Sequence, residues 1–251
     1  MSDGKIIISV GKMSSSIWKG HRLENLTWTI QSEDFVVVEP MAHLTLSPGF
    51  LRLLQGYAPL CLKGALAGGS FEISMGISML RGLNKGYANI EAAGIRLEDL
   101  EALRHLAQRE IKGKVTGRAG FSGSFHDPSK IRGQGTLLVQ DGALDMKTEV
   151  FGIKTLPFAK ATLPFSVRNG AADINRGEIE GPLFEGDFEG RIRLHPDLQA
   201  SALQVVATIR PGRSLQEGQA GTLPALGARP IVIQLQGTLA EPVISWTGAF
   251  Q

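Results

Sequence analysis

Residues 111–125 read IKGKVTGRAGFSGSF, and every odd position of the stretch is apolar or glycine: Ile111, Gly113, Val115, Gly117, Ala119, Phe121, Gly123 and Phe125. The even positions Lys112, Lys114, Thr116, Arg118, Ser122 and Ser124 are polar, with only Gly120 interrupting the set. Side chains of a β-strand point alternately to the two faces of its sheet. Fifteen residues in phase therefore predict one long half-buried strand and exclude a helix. At ~3.3 Å per residue such a strand runs roughly 50 Å, well beyond the usual ~17–20 Å. A length of that order suits a long, curved sheet better than a compact sandwich. The inward glycines put bare backbone where a core would place Val or Leu, so the sheet is expected to bend there or to leave room over that face.

The rest of the composition agrees with a folded, β-rich chain. Of the 251 residues 43% are hydrophobic and 20% charged, which excludes a disordered polymer. Glycine, at 31 residues, falls inside alternating runs rather than in one tract, which points to strand bends and turns. A net charge of +2 and an aromatic content of 6% leave neither an electrostatic pull nor stacking platforms for nucleic acid, and none is expected as a partner. Cys61 is the single cysteine, so no internal disulfide can form, and its apolar neighbours predict a small buried hydrophobe. No apolar run reaches the ~20 residues of a membrane-spanning helix.

Along the chain, alternation marks strands at 5–10, 26–31, 35–38, 71–79, 87–92, 184–194, 203–209, 231–235 and 243–246. Ser32-Glu33-Asp34, Asn84-Lys85-Gly86 and Asp141-Gly142 are expected to be turns between antiparallel neighbours, the last ending a strand over 131–139. Two Leu-Pro-Phe copies, at 156–158 and 163–165, place prolines that belong at edges or strand starts. Ser47-Pro48 opens a helical turn or two over 50–54. Leu97, Leu100, Leu103, Leu106 and Ala107 recur at three and four, which predicts an amphipathic helix over 97–109. Residues 212–230, rich in Gly, Ala and Pro, are expected to be a mobile loop. The expected fold is mainly β: one elongated domain over 1–251, built as a long, twisted, mostly antiparallel sheet in the form of a groove or half-barrel. One or two short helices are expected on its apolar face.

The order of several segments resembles a known family. Trp18-Lys19-Gly20, LTLSPGFLRLLQG at 44–56, Gly68-Gly69, GIRLEDLEAL at 94–103, the strand at 112–123, FGIKTLPF at 151–158 and GTLAEP at 237–242 resemble the type II secretion system protein N (GspN) family over nearly the whole chain. More distantly, the long strands and the terminal G-T-L-x-x-P resemble AsmA-like periplasmic proteins, whose curved sheets form apolar grooves implicated in lipid handling. The resemblance implies a periplasmic protein tied to the inner membrane by an amino-terminal helix, with other secretion-system subunits as partners and lipid or acyl chains as the alternative partner. Nothing before Lys5 could span a bilayer, so the anchor is expected to lie outside this chain.

Catalytic signatures do not emerge. There is no G-x-S-x-G, no H-E-x-x-H and no phosphate loop, and His21, His43, His105, His126 and His195 stand singly. No enzyme activity, metal or cofactor is expected. Asp187 and Glu189 share a strand side with Arg191 and Arg193, as on a solvated face. Lys112, Lys114 and Arg118 likewise share a side. The candidate site is instead apolar. Val115, Phe121, Phe125, Leu137, Val139, Phe188, Ile192 and Leu194 should all point one way, with glycines between them. Thirteen helical residues at ~1.5 Å each reach only about 20 Å, so one helix cannot cover such a face. Either the sheet curls to pack its walls together, the expected arrangement, or the face holds an apolar ligand.

Overall fold

The computed structural model describes residues 5–16, 20–31, 36–48, 57–78, 85–107, 110–124, 127–150, 153–195, 200–212 and 230–247. They form fourteen strands in chain order. The first seven are β1 (Lys5–Ser16), β2 (Gly20–Gln31), β3 (Val36–Pro48), β4 (Tyr57–Leu66), β5 (Gly69–Ser78), β6 (Gly86–Arg96) and β7 (Ile111–Gly123). The second seven are β8 (Arg132–Val150), β9 (Ile153–Arg168), β10 (Ala171–Glu180), β11 (Phe184–Arg193), β12 (Ala202–Pro211), β13 (Ile231–Thr238) and β14 (Pro242–Thr247). All fourteen belong to one sheet whose spatial order is the order of the sequence, each strand antiparallel to the next. The sheet is not closed into a barrel, and β1 and β14 are the outermost of the described strands. At ~4.8 Å per strand spacing it is about 62 Å across.

Asp141-Gly142 does not end a strand. β8 continues through it for 19 residues, and the pair stands opposite the single residue Gly113 of β7. Asp141 takes a left-handed φ of 51°. The dipeptide that favours a hairpin turn favours a bulge for the same reason, since both need positive φ. A similar insertion in β6 sets Ala93 and Gly94 (φ 67°) against Thr116 alone, the Gly94 N–H donating to Thr116 Oγ1 at 3.2 Å. A third, in β10, places Asn175 and Arg176 (φ 51°) opposite Glu189. Each insertion raises the local right-handed twist, so the bending expected of the inward glycines comes largely from bulges.

The Leu-Pro-Phe prolines lie inside β9 and not at an edge, yet neither breaks a ladder. Pro164 faces the β10 bulge, where register lapses between Ile174 and Glu178, and Pro157 lies past the last β10 partner, Glu180. Pro40 of β3 and Pro59 of β4 follow the same rule, each standing beyond the end of the neighbour on one side. A residue without an N–H is tolerated where no acceptor is waiting.

The expected helix is present in broken form. A 3₁₀ turn covers Leu97–Asp99, Leu100 is extended (φ −94°, ψ 98°), and α1 covers Glu101–Ala107. Helix α1 contacts β3, reaching back past the β4–β5 hairpin from its own position between β6 and β7. β3 outruns β4 at that end, since Val36–Pro40 has partners on β2 but none on β4. The expected turns at 50–54, Ser32-Glu33-Asp34 and Asn84 lie outside the described residues, as do nearly all of the loop expected at 212–230.

One layer of sheet leaves much surface in water. The accessible area is 16113 Å² for 26.9 kDa, against roughly 10,800 Å² for a compact monomer of that mass. Among the described residues only Leu26, Val167 and Leu203 are buried hydrophobics. Among the described residues the walls therefore seal no core between them, and the self-filled groove that was expected does not appear there. Cys61 is corrected too: it is half-buried on the polar side of β4, its Sγ 3.5 Å from Glu72 Oε1 and 3.7 Å from Ser74 Oγ.

Polar clamps tie the second half of the sheet. Asp173 of β10, its side chain 12% exposed, accepts from Arg191 Nε of β11 at 2.5 Å and from Arg168 Nε of β9 at 3.4 Å. The Arg191 hydrogen bond is the first cause holding the Asp173 carboxyl below its ordinary range. A carboxyl depressed on folding stabilises above its unfolded pKa and loses that contribution as pH falls through the folded one. Asp173→Asn is expected to lower the thermal midpoint at pH 7, with the gap from wild type closing below roughly pH 4 in scanning calorimetry. A gap that stayed constant down to pH 2 would remove the ionic account.

Candidate apolar binding face

Directly opposed residues of antiparallel neighbours share a face, so register alone traces what each side of the sheet presents. One row begins at Leu46 of β3 and passes through Leu62, Ile73, Ile90, Ala119 and Gly135. It continues through Phe165, Ile174, Gly190, Val205 and Leu235 to Ile244 of β14. Twelve strands contribute to it, and every member is apolar or glycine. A parallel row runs Ile95, Val115, Val139, Ala161, Ile179, Gly186, Ile209 and Ile231. The reverse side carries, in register, Lys63, Glu72, Glu91, Arg118 and Thr136. There Lys63 Nζ lies 2.7 Å from Glu72 Oε2, and that hydrogen bond holds Glu72 below and Lys63 above their ordinary values.

Six of the eight residues singled out from the sequence fall on the apolar side. Val115, Phe121, Leu137 and Val139 lie on adjacent β7 and β8, while Phe188 and Ile192 lie three strands away on β11. Leu194 stands just past β11, half-buried, its N–H donating to Gly170 O at 2.8 Å. Phe125 lies outside the described residues. The face is far wider than those eight positions. Phe71, Ile73 and Met75 of β5 belong to it, as do Leu163 and Phe165 of β9 and the inward rows of β12 and β13. Their alternation is visible in the sequence, but only the strand order joins them to one surface.

Of the inward glycines, Gly133 and Gly135 are covered by rings from next-door strands, while Gly113 and Gly117 face the aliphatic side chains of Val139 and Leu137, and the ring arrangement recurs elsewhere in the sheet. Phe71 is paired directly with Gly64, Phe121 with Gly133, Phe165 with Gly135, Phe158 with Gly142 and Phe188 with Gly177. In each pair a Cβ added to the glycine would meet the ring; at Gly135 it would lie 2.6 Å from Phe165 Cζ. Phe121 and Phe165, two strands apart, bring their ring centroids to 6.5 Å by lying over the glycines of β8 between them. Rings laid flat make the apolar surface low and broad.

That surface is half-exposed, with Leu60 37%, Ile90 36% and Ile77 47% accessible. No second layer of described residues packs over it. Soluble monomers rarely expose contiguous apolar patches beyond a few hundred Å², and larger ones mark sites for partners, ligands or membranes. Among the described residues no group of three His, Cys, Asp or Glu side chains gathers to hold a metal ion, and no helix is long and apolar enough to cross a membrane. No family model, curated protein or solved structure matches the chain.

The ring-over-glycine packing has a measurable signature. A Cβ at Gly177 would meet the Phe188 ring first, so Gly177→Ala is expected to cost about 1–2 kcal/mol in urea unfolding. In a Phe188→Ala background that cost should vanish, and an undiminished cost there would show that the ring is not the obstacle.

Proposed function

We propose that this protein is a non-enzymatic periplasmic component that holds acyl chains on its apolar face, in the manner of the AsmA-like proteins it resembles. The observation that carries the reading is the unbroken apolar row across twelve strands, on a half-exposed face that no described residues cover with a second layer. Burial of apolar surface is worth ~25 cal/mol per Å², so a chain of twelve or more methylenes laid on such a face gains several kcal/mol. The flat rings at Gly133 and Gly135 supply breadth without polar atoms, a surface that selects for hydrocarbon and not for a particular headgroup.

A second reading rests on the sheet edges. Among the described residues β1 pairs only with β2 and β14 only with β13, so each presents a backbone side that no described strand pairs with. Edges of this kind accept a strand from a partner. Together with the resemblance to the GspN family, this supports an accessory role in the type II secretion pathway, through contacts with other secretion-system subunits at the inner membrane.

Native mass spectrometry of gently purified protein is expected to show bound acyl lipid, which Val115→Glu or Ile192→Glu should abolish while the far-ultraviolet spectrum is kept. Lipid-free protein that also fails to take up a fluorescent fatty acid would end the first reading. The second predicts that secretion-system subunits co-purify from periplasm and that prolines placed in β1 reduce their recovery; co-purification unaffected by such prolines would end the edge-pairing account.

A further inference from the structure

The sequence singles out Gly120 as the one non-polar member of an otherwise polar side of β7, and the apolar face gives it no role. On the reverse side of the sheet it lies in the row Asn89, Gly120, Gln134, Ser166, beside the row Tyr87, Ser122, Arg132. A depression of about 780 Å³ lies there with Gly120 in its lining, within the size range of small-molecule sites. A Cβ at Gly120 would meet nothing closer than Asn89 Oδ1 at 3.1 Å. Arg132 and Arg168 also line the depression. They stand one step beyond the Gly133–Val167 pair, and therefore opposite one another on β8 and β9.

The charges around this depression are unbalanced. Among the described residues no Asp or Glu lines it. Asp173, paired with Ser166 across β9 and β10, is already shared by Arg191 and Arg168. Arg132 makes no ion pair with a described residue. One row further along, the same side of the sheet is balanced, with Glu91 opposite Arg118. Like charges directly opposed across strands repel, and an anion between them converts repulsion into two charge-assisted hydrogen bonds. The side-chain amides and hydroxyls of Asn89, Ser122, Gln134 and Ser166 add donors suited to phosphate oxygens or to the hydroxyls beside them.

We propose that this depression, floored by Gly120 and walled by Arg132 and Arg168, is a binding site for a phosphate ester carrying hydroxyl groups, on the face of the sheet opposite the apolar one. Such a group is found both in soluble polyol phosphates and in the headgroups of anionic lipids. The test titrates the whole protein with glycerol 3-phosphate by calorimetry, and in parallel co-sediments it with phosphatidylglycerol vesicles against phosphatidylcholine controls. Wild type is expected to bind at least one probe. Binding to glycerol 3-phosphate alone identifies a soluble ligand, and binding to the anionic vesicles alone identifies a headgroup. Arg132→Gln, which breaks no ion pair with a described residue, should weaken whichever binding is found by about tenfold or more. Gly120→Leu, which puts a bulky side chain into the floor of the depression and leaves the arginines in place, should do the same, and a spectrum and thermal midpoint close to wild type will show that the fold is kept. Failure of wild type to bind either probe overturns the proposal, and so does Arg132→Gln binding as tightly as wild type.

Discussion

The backbone ladder between consecutive strands is the interaction on which everything else in this protein depends. A sandwich or a bundle shares its stability between hydrogen bonds and a core sealed from water. Here only three described hydrophobic residues are buried, so the ladder and the side-chain pairs directly across it hold the strands together. The Phe–Gly pairs belong to this economy. A ring placed over the neighbouring glycine covers peptide groups that water would otherwise reach, and it packs within the sheet because the described residues form no second layer to pack against.

The same constraint explains the bulges. A ladder of fourteen strands kept in strict register would carry a one-residue error in any strand across the sheet, turning apolar side chains to the wrong face. In β6 the extra residue at Ala93-Gly94 moves the apolar set from the even positions Ala88, Ile90 and Ala92 to the odd position Ile95, which again meets Val115 on the same side. The bulges thus bend the sheet and keep its two faces pure.

Much of this was legible in the residues themselves. Alternation at 111–123 and 184–193 names both the strand and its buried side, and the all-β antiparallel class follows from it. What alternation cannot carry is the identity of the neighbour. Gly133 looks like open space until Phe121 is placed beside it, twelve residues earlier in the chain. Asp141-Gly142 specifies a positive φ without saying whether the chain turns back or runs on, and here the pairing of Leu144 with Leu156 decides for running on. The prolines of β9 mislead for a related reason. Their fitness for a strand depends on where the next strand ends or bulges, a property of β10 and not of β9. On the polar side, Arg132 and Arg168 lie 36 residues apart in the chain, and only the β8–β9 register makes them opposite.

A sheet in which each described strand pairs only with its predecessor and its successor has no closing ladder to satisfy. Its width is a free variable. Inserting or deleting one hairpin leaves every other pairing as it was, much as in a linear array of repeats, where each unit answers only to its neighbours. The apolar track of such a protein can therefore be lengthened in evolution by copying two strands at a time, in steps of about 10 Å, until it matches whatever distance it has to span.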